Sequence, residues 1–169
     1  MIKTLAELVE IREAARPTIV GTVNGVLDIL HAGHIEAFEE MRQHCGFLIC
    51  LLNSDASARR LNKGPGRPFM SEQERAAIIG GLRAVDAVGI FDGDDPSAEI
   101  EALRPDVHFL GSEYKNTESK EYRLRPIPER EPLERHGGRL VFLEGAKTPG
   151  STGIVQRILA AHQLAPPTP

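Results

Sequence analysis

The chain has 169 residues, 41% hydrophobic and 26% charged, which suits one globular domain with a real core. A net charge of −4 argues against a general polyanion binder, and no Trp with only two Tyr leaves little for a base-stacking platform, so no nucleic-acid partner is expected. No apolar run approaches the roughly 18 residues of a membrane span and the opening residues lack a secretory-leader core, so the expectation is a cytoplasmic chain with no membrane partner. Two cysteines in apolar surroundings read as buried thiols of a reducing compartment rather than a disulfide framework.

Residues 4–15 carry a helical pattern with Thr4 as N-cap. The apolar run 18–23 reads as a first strand. Residues 33–44 read as a helix with Ile35, Phe38 and Met41 inward. Residues 47–52 are continuously apolar, as in strands buried on both faces of a parallel sheet. Asp55 to Leu61 forms a short helix, and residues 63–68 a turn-rich loop. Ser71-Glu72-Gln73-Glu74 is a capping box that opens a helix to about residue 82. A third strand is expected at 87–91, a helix at 96–103 and a fourth strand at 107–110. Residues 112–135 are polar and irregular, a lid or substrate segment. A fifth strand at 139–143 and a helix at 151–164 follow, and the tail at 165–169 should fray. Strand and helix alternate throughout, which predicts a single α/β domain over residues 1–169 with an open parallel sheet of about five strands.

The stretch Asn24 to His34, with His31-Ala32-Gly33-His34 at its end, follows the first strand and enters a helix. In an open parallel sheet, ligands bind at that edge, and a helix start offers N–H groups and a positive dipole end to phosphate. Two imidazoles there can donate hydrogen bonds to phosphate oxygens as charge develops. His-x-x-His can also be a metal pair, but no carboxylate or cysteine cluster nearby completes a zinc set. The second strand ends at Asn53-Ser54-Asp55 and leads to Lys63-Gly64-Pro65-Gly66-Arg67-Pro68, where glycines allow close backbone approach and Lys63 and Arg67 carry positive charge. Ser151 and Thr152 open the last helix as N-cap residues or as phosphate ligands. Gly111-Ser112-Glu113-Tyr114, after the fourth strand, suits a base, ribose or second-substrate contact. Walker A and Gly-x-Gly-x-x-Gly signatures are absent, as is a persuasive nucleophile with its base. In-line attack of a substrate phosphate on a nucleotide α-phosphorus needs neither.

With these motifs the sequence resembles the cytidylyltransferase-like nucleotidyltransferases through its His-x-Gly-His stretch. Asn53 to Pro68 is similar to the bacterial heptose-1-phosphate adenylyltransferase branch, and Ala84-Val85-Asp86, Ile90-Phe91-Asp92 and Ala102 to Val107 continue the likeness in order. The resemblance implies a Rossmann-like nucleotidyltransferase fold and transfer of AMP from ATP to a heptose 1-phosphate with release of pyrophosphate. It implies Mg²⁺ carried on the ATP phosphates, no metal ligands from the chain, and a homodimer. It implies catalytic roles for His31, His34 and Lys63. Nucleotide contacts would come from Val23, Asn24, Gly25, Val26, Gly33 and His34, then from Asn53, Arg67, Gly111, Glu113, Ser151 and Thr152. Acceptor contacts would come from Asp28, Asn53 and Lys63, with Asp28 holding either the first loop or the acceptor. Leu110 stands where the heptose enzymes carry a lysine, and Gly153 where they carry a third hydroxyl residue. With Leu110 unable to supply that charge, Arg123 and Arg125 are expected to reach the acceptor from the polar segment. A CTP-dependent enzyme acting on glycerol phosphate or another polyol phosphate is the alternative, and a catalytically silent nucleotide-binding module is a third.

Overall fold

In the computed structural model, residues 2–62, 64–114, 127–145 and 150–162 are described. Five strands alternate with helices: α1 Leu5–Ala14, β1 Val20–Gly25, α2 Ala32–Arg42, β2 Phe47–Asn53, α3 Asp55–Arg60, α4 Glu72–Gly80 and β3 Ala87–Phe91. Then follow α5 Ser97–Leu103, β4 Val107–Leu110, a one-turn 3₁₀ helix Ser112–Tyr114, α6 Arg130–Arg135, β5 Arg139–Phe142 and α7 Ser151–Ala161. All pairings are parallel, in the order β3-β2-β1-β4-β5. The chain winds outward from β1 through β2 to β3, then returns to place β4 on the other side of β1. The β1–β4 boundary is therefore the switch point where a crevice opens at the carboxyl ends of the strands.

Two apolar layers hold the sheet. Phe38, Met41, Leu48, Cys50, Ile79 and Phe109 fill the α2–α4 side. Leu8, Val20, Ile49, Leu51, Ile100, Leu103 and Leu133 fill the α1–α5–α6 side. Both cysteines are buried and unbridged, and burial pushes the Cys50 thiol up to about 12. Gly21 is required by packing: a Cβ there would lie 2.6 Å from the Phe109 ring. Arg12 joins α1 to the end of α5, where its guanidinium donates to the Leu103 and Arg104 carbonyls at 3.0 and 2.7 Å.

Several element ends fall one to three residues from the sequence expectation, and one helix lies where none was expected. β1 begins at Val20 rather than at residue 18 and runs on to Gly25, because Asn24 and Gly25 still pair with Leu51 and Leu52. The polar stretch expected to be irregular contains α6, whose Pro132 and Leu133 are buried. Proline is tolerated there because its missing N–H falls in the first helical turn, where the N–H groups have no intrahelical partner. The expected tail at 165–169 lies outside the described residues. Among the described residues, no helix is long and apolar enough to cross a membrane.

Candidate active site

After β1 the chain crosses five loop residues and reaches His31, the N-cap of α2. Leu27 in that loop has φ 48°, the left-handed region that a branched-chain residue adopts only under tertiary constraint. The following Asp28 is buried, and its carboxylate is engaged by the protein. Oδ1 accepts from the Phe69 and Met70 N–H groups at 2.8 and 3.0 Å, and Oδ2 faces Arg67 Nη1 at 3.4 Å. The contacts of Asp28 are thus to the loop carrying Arg67, which is neither the first loop nor the acceptor read for it from the sequence.

Arg67, on that anchored loop, reaches Ser151 Oγ at 3.4 Å and stacks its guanidinium 5.1 Å from the Phe69 ring centre. Ser151 and Thr152 occupy the first two helical positions of α7, and the N-cap is Gly150, not either hydroxyl residue. The Ser151 hydroxyl is thus turned to Arg67 rather than to its own helix. His34, Arg67 and Ser151 line one cleft of about 110 Å³ with Val26, Leu27, Asp28, Ala58 and Pro68. Two 11-residue helices, α2 and α7, bring their N-terminal turns to this region without an acidic residue in either first turn. Helix starts of that kind favour anionic oxygen.

The two imidazoles stack with centroids 3.9 Å apart. The His31 N–H lies 3.4 Å from His34 Nδ1, so a proton on Nε2 is the compatible tautomer. Burial, with the His31 charge adding to it, lowers the His34 pKa to about 4. At neutral pH His34 is a neutral donor. Among the described residues His31 Nδ1 is buried without a partner.

A larger cavity of about 350 Å³ continues along the β1–β4 boundary. Val23, Asn24, Gly25, Asn53 and Gly111 line it, so the structure gathers five of the expected contact residues there. Asn53 is buried and donates to Ser57 Oγ at 2.9 Å. Gly33 is buried in the first turn of α2. Lys63, Arg123 and Arg125 lie outside the described residues, as does the side chain of Glu113. Leu110 is buried on β4 and forms part of the cavity wall. Arg60, adjacent to the basic loop, is engaged by Asp94 at 2.7 Å.

One residue of the site's scaffold escaped the sequence reading. Arg75, fully buried in α4, donates to the Val26 carbonyl at 2.6 Å, the Met70 carbonyl at 3.2 Å and Asp55 Oδ1 at 2.8 Å. It joins the loop after β1, the Arg67 loop and the start of α3. Its one sequence signal is a charge beside Ala76 and Ile79 on the apolar side of the helix.

The chain belongs to the Cytidylyltransferase-like family, whose model matches residues 22–154. By class it is a nucleotidyltransferase. It is 36% identical over 161 residues to the bifunctional protein HldE of Syntrophotalea carbinolica, covering 95% of this chain and 31% of the relative. It is 41% identical over 138 residues to the bifunctional protein HldE of Hyphomonas neptunium, covering 82% of this chain and 26% of the relative. The chain thus spans a third or less of the length of these relatives. Among solved structures, the lipopolysaccharide core biosynthesis protein of Thermoplasma volcanium matches with TM-score 0.61 and 25% identity, covering 77% of this chain and 99% of that one. The pantoate-beta-alanine ligase of Francisella tularensis shares the fold at TM-score 0.54 and 13% identity, over 98% of this chain and 80% of that one.

Proposed function

We propose that the chain transfers AMP from ATP to a heptose 1-phosphate, giving ADP-heptose and pyrophosphate. The convergence of His34, Arg67 and Ser151 on one cleft beside the starts of α2 and α7 carries this reading. The likeness of Asn53–Pro68 to the heptose adenylyltransferases supports the choice of acceptor, and so do the HldE relatives.

In this mechanism the β- and γ-phosphates lie across the two helix starts, with Arg67 and Lys63 as their cations and Ser151 and Thr152 at the α7 end. An oxygen of the acceptor phosphate attacks the α-phosphorus. The new bond joins that oxygen to phosphorus, the bond to the bridging oxygen breaks, and pyrophosphate leaves with the electron pair. His34 donates from Nε2 to the oxygens on which charge grows, which lowers the barrier without covalent chemistry. His31 backs it across the ring stack. Mg²⁺ enters as part of the nucleotide substrate.

Cytoplasmic location is proposed from the two unbridged buried thiols, and a homodimer from the family resemblance. A second reading, CTP-dependent transfer to glycerol phosphate or a related polyol phosphate, has Leu110 in its favour. A pyrophosphate-release assay with the four nucleoside triphosphates and a panel of sugar and polyol phosphates tests both. ATP with heptose 1-phosphate is the expected pair. A CTP preference moves the chain to the second reading, and no turnover with any pair leaves a binding module.

A further inference from the structure

Asn53, the last residue of β2, is buried and lines the 350 Å³ cavity. A carboxamide can turn either its nitrogen or its oxygen to a ligand, and the residue behind Asn53 fixes which. Ser57, fully buried in α3, has one proton on Oγ and stands between two partners. One is the Gly93 carbonyl, 2.7 Å away, which can only accept. The Ser57 proton therefore goes to Gly93, and Oγ is left as an acceptor toward Asn53, 2.9 Å away. The Asn53 atom facing Ser57 is thus the nitrogen, assigned by the hydrogen-bond network.

Ser57 is itself held in place. Its N–H donates to Ser54 Oγ at 2.9 Å, Ser54 Oγ donates to Asp92, and the Ser54 N–H donates to the Phe91 carbonyl at 2.7 Å. The end of β2, α3 and the turn after β3 share this chain of bonds. Turning the Asn53 amide over would set two acceptors against each other, a costly arrangement in a buried place. With the nitrogen committed to the protein, the oxygen is the carboxamide atom left for a ligand. A phosphate oxygen needs a donor, so a carboxamide oxygen does not bind it. A sugar hydroxyl brings the donor that this oxygen lacks.

Resting on the proposed transfer between a nucleotide and a sugar phosphate, we propose that Asn53 Oδ1 accepts a hydrogen bond from a sugar hydroxyl, and that Ser57 is the positioning residue that holds the amide in this sense. Asn53 then meets a sugar ring, the ribose of ATP or the acceptor, and not a phosphate. A substrate lacking that hydroxyl leaves a buried acceptor unpaired and is rejected for that reason.

The test uses the full chain with ATP, 2′-deoxy-ATP, 3′-deoxy-ATP and heptose 1-phosphate, and with inorganic tripolyphosphate as a competitive inhibitor. Asn53→Ala should raise KM for ATP or for heptose 1-phosphate about fivefold or more, with tripolyphosphate inhibition changed less than about twofold. If the hydroxyl is on the ribose, the wild type should disfavour one deoxy nucleotide by a similar factor and Asn53→Ala should not. If it is on the acceptor, the three nucleotides should behave alike and KM for heptose 1-phosphate should carry the rise. Ser57→Ala should raise the same constant and add little in the double variant with Asn53→Ala, because it acts through that amide. Ser57→Cys, a weaker hydrogen-bonding group, should shift it in the same direction and carries this arm if Ser57→Ala does not fold. Unchanged constants for both substrates in Asn53→Ala overturn the inference and leave AMP transfer standing. Weakened tripolyphosphate inhibition in that variant gives the amide to a phosphate and overturns it as well. Full additivity of the two substitutions removes Ser57 as a positioning residue. A wild type inactive with heptose 1-phosphate ends the proposed acceptor; calorimetric titration of ATP and its two deoxy forms then reads the contact alone, and equal affinities for all three overturn it.

Discussion

His31 and His34 are coupled twice, by rings stacked 3.9 Å apart and by the His31 N–H facing His34 Nδ1 at 3.4 Å. The helix start thereby fixes which nitrogen of His34 carries the proton. A neutral ring in a fixed tautomer presents one donor, and its value lies in needing no reorganisation as charge develops. His34→Ala should lower kcat at least 10²-fold, the scale for losing one such donor. ATP affinity should fall far less, since the charge it answers exists only in the transition state. Steady-state rates beside calorimetric ATP titration measure both, and near-normal turnover would remove His34 from catalysis.

Asp28 and Arg67 make the second prediction. Arg67→Ala should mainly raise KM for the nucleotide, because a guanidinium aimed at a phosphate cleft contributes binding. Asp28→Ala should raise the same constant with Arg67 intact, because the Phe69 and Met70 N–H groups lose their acceptor and the loop loses its anchor. In the double variant the two effects should be less than additive if Asp28 acts through the loop. Full additivity would separate them.

Arg75 carries no phosphate role, but its removal leaves three acceptors without their donor. Arg75→Met should destabilise the fold by about 3 kcal/mol, the scale for breaking a buried charged network. Urea unfolding reads the loss. KM for ATP should rise as well, since the Met70 carbonyl that holds the Arg67 loop is among those acceptors. A variant of unchanged stability would show that Asp55 and the carbonyls find water instead.

The fourth prediction concerns pH. His108 is fully buried on β4, with Nδ1 2.8 Å from Thr22 Oγ1, and burial lowers its pKa to about 4. The folded state therefore binds its proton less readily than the unfolded chain, whose histidine titrates near 6.5. The stability this contributes is fully present above that value and is lost as pH falls toward 4. The loss is on the order of 3 kcal/mol for one such group. His34 adds to it in the same direction. Unfolding free energies measured between pH 7.5 and 4.5 should fall on the acid side, and His108→Asn should flatten the curve. A curve of equal slope in that variant would place the titration elsewhere.

Much of the fold could be read along the chain because local chemistry repeats the global answer. The apolar runs of β2, β3 and β4 are those of strands covered on both faces, and the structure places β3 and β4 at the residues expected. The capping box at Ser71 starts α4 where expected, because its two reciprocal hydrogen bonds involve residues three apart. The stretch from Asn24 to His34 likewise reads as a candidate phosphate site from local features alone, a strand end, a glycine and two imidazoles at a helix start. α6 was hidden because six residues show no periodicity, and only burial of Pro132 and Leu133 against the rest of the fold gives it a reason to form.

Tertiary structure decided the rest. The β1–β4 neighbourhood, the turn of Ser151 toward Arg67 across 84 residues, and the meeting of Asp95 with Glu129 join positions remote in sequence. Nothing in Pro128-Glu129-Arg130 marks its glutamate as buried; it reads as one more charge in a polar segment. Arg75 likewise reads as a surface charge until the loops after β1 and before α4 close over it. A sequence carries periodicity and local hydrogen bonds, whereas burial and electrostatic pairing depend on which distant segments the sheet order brings side by side.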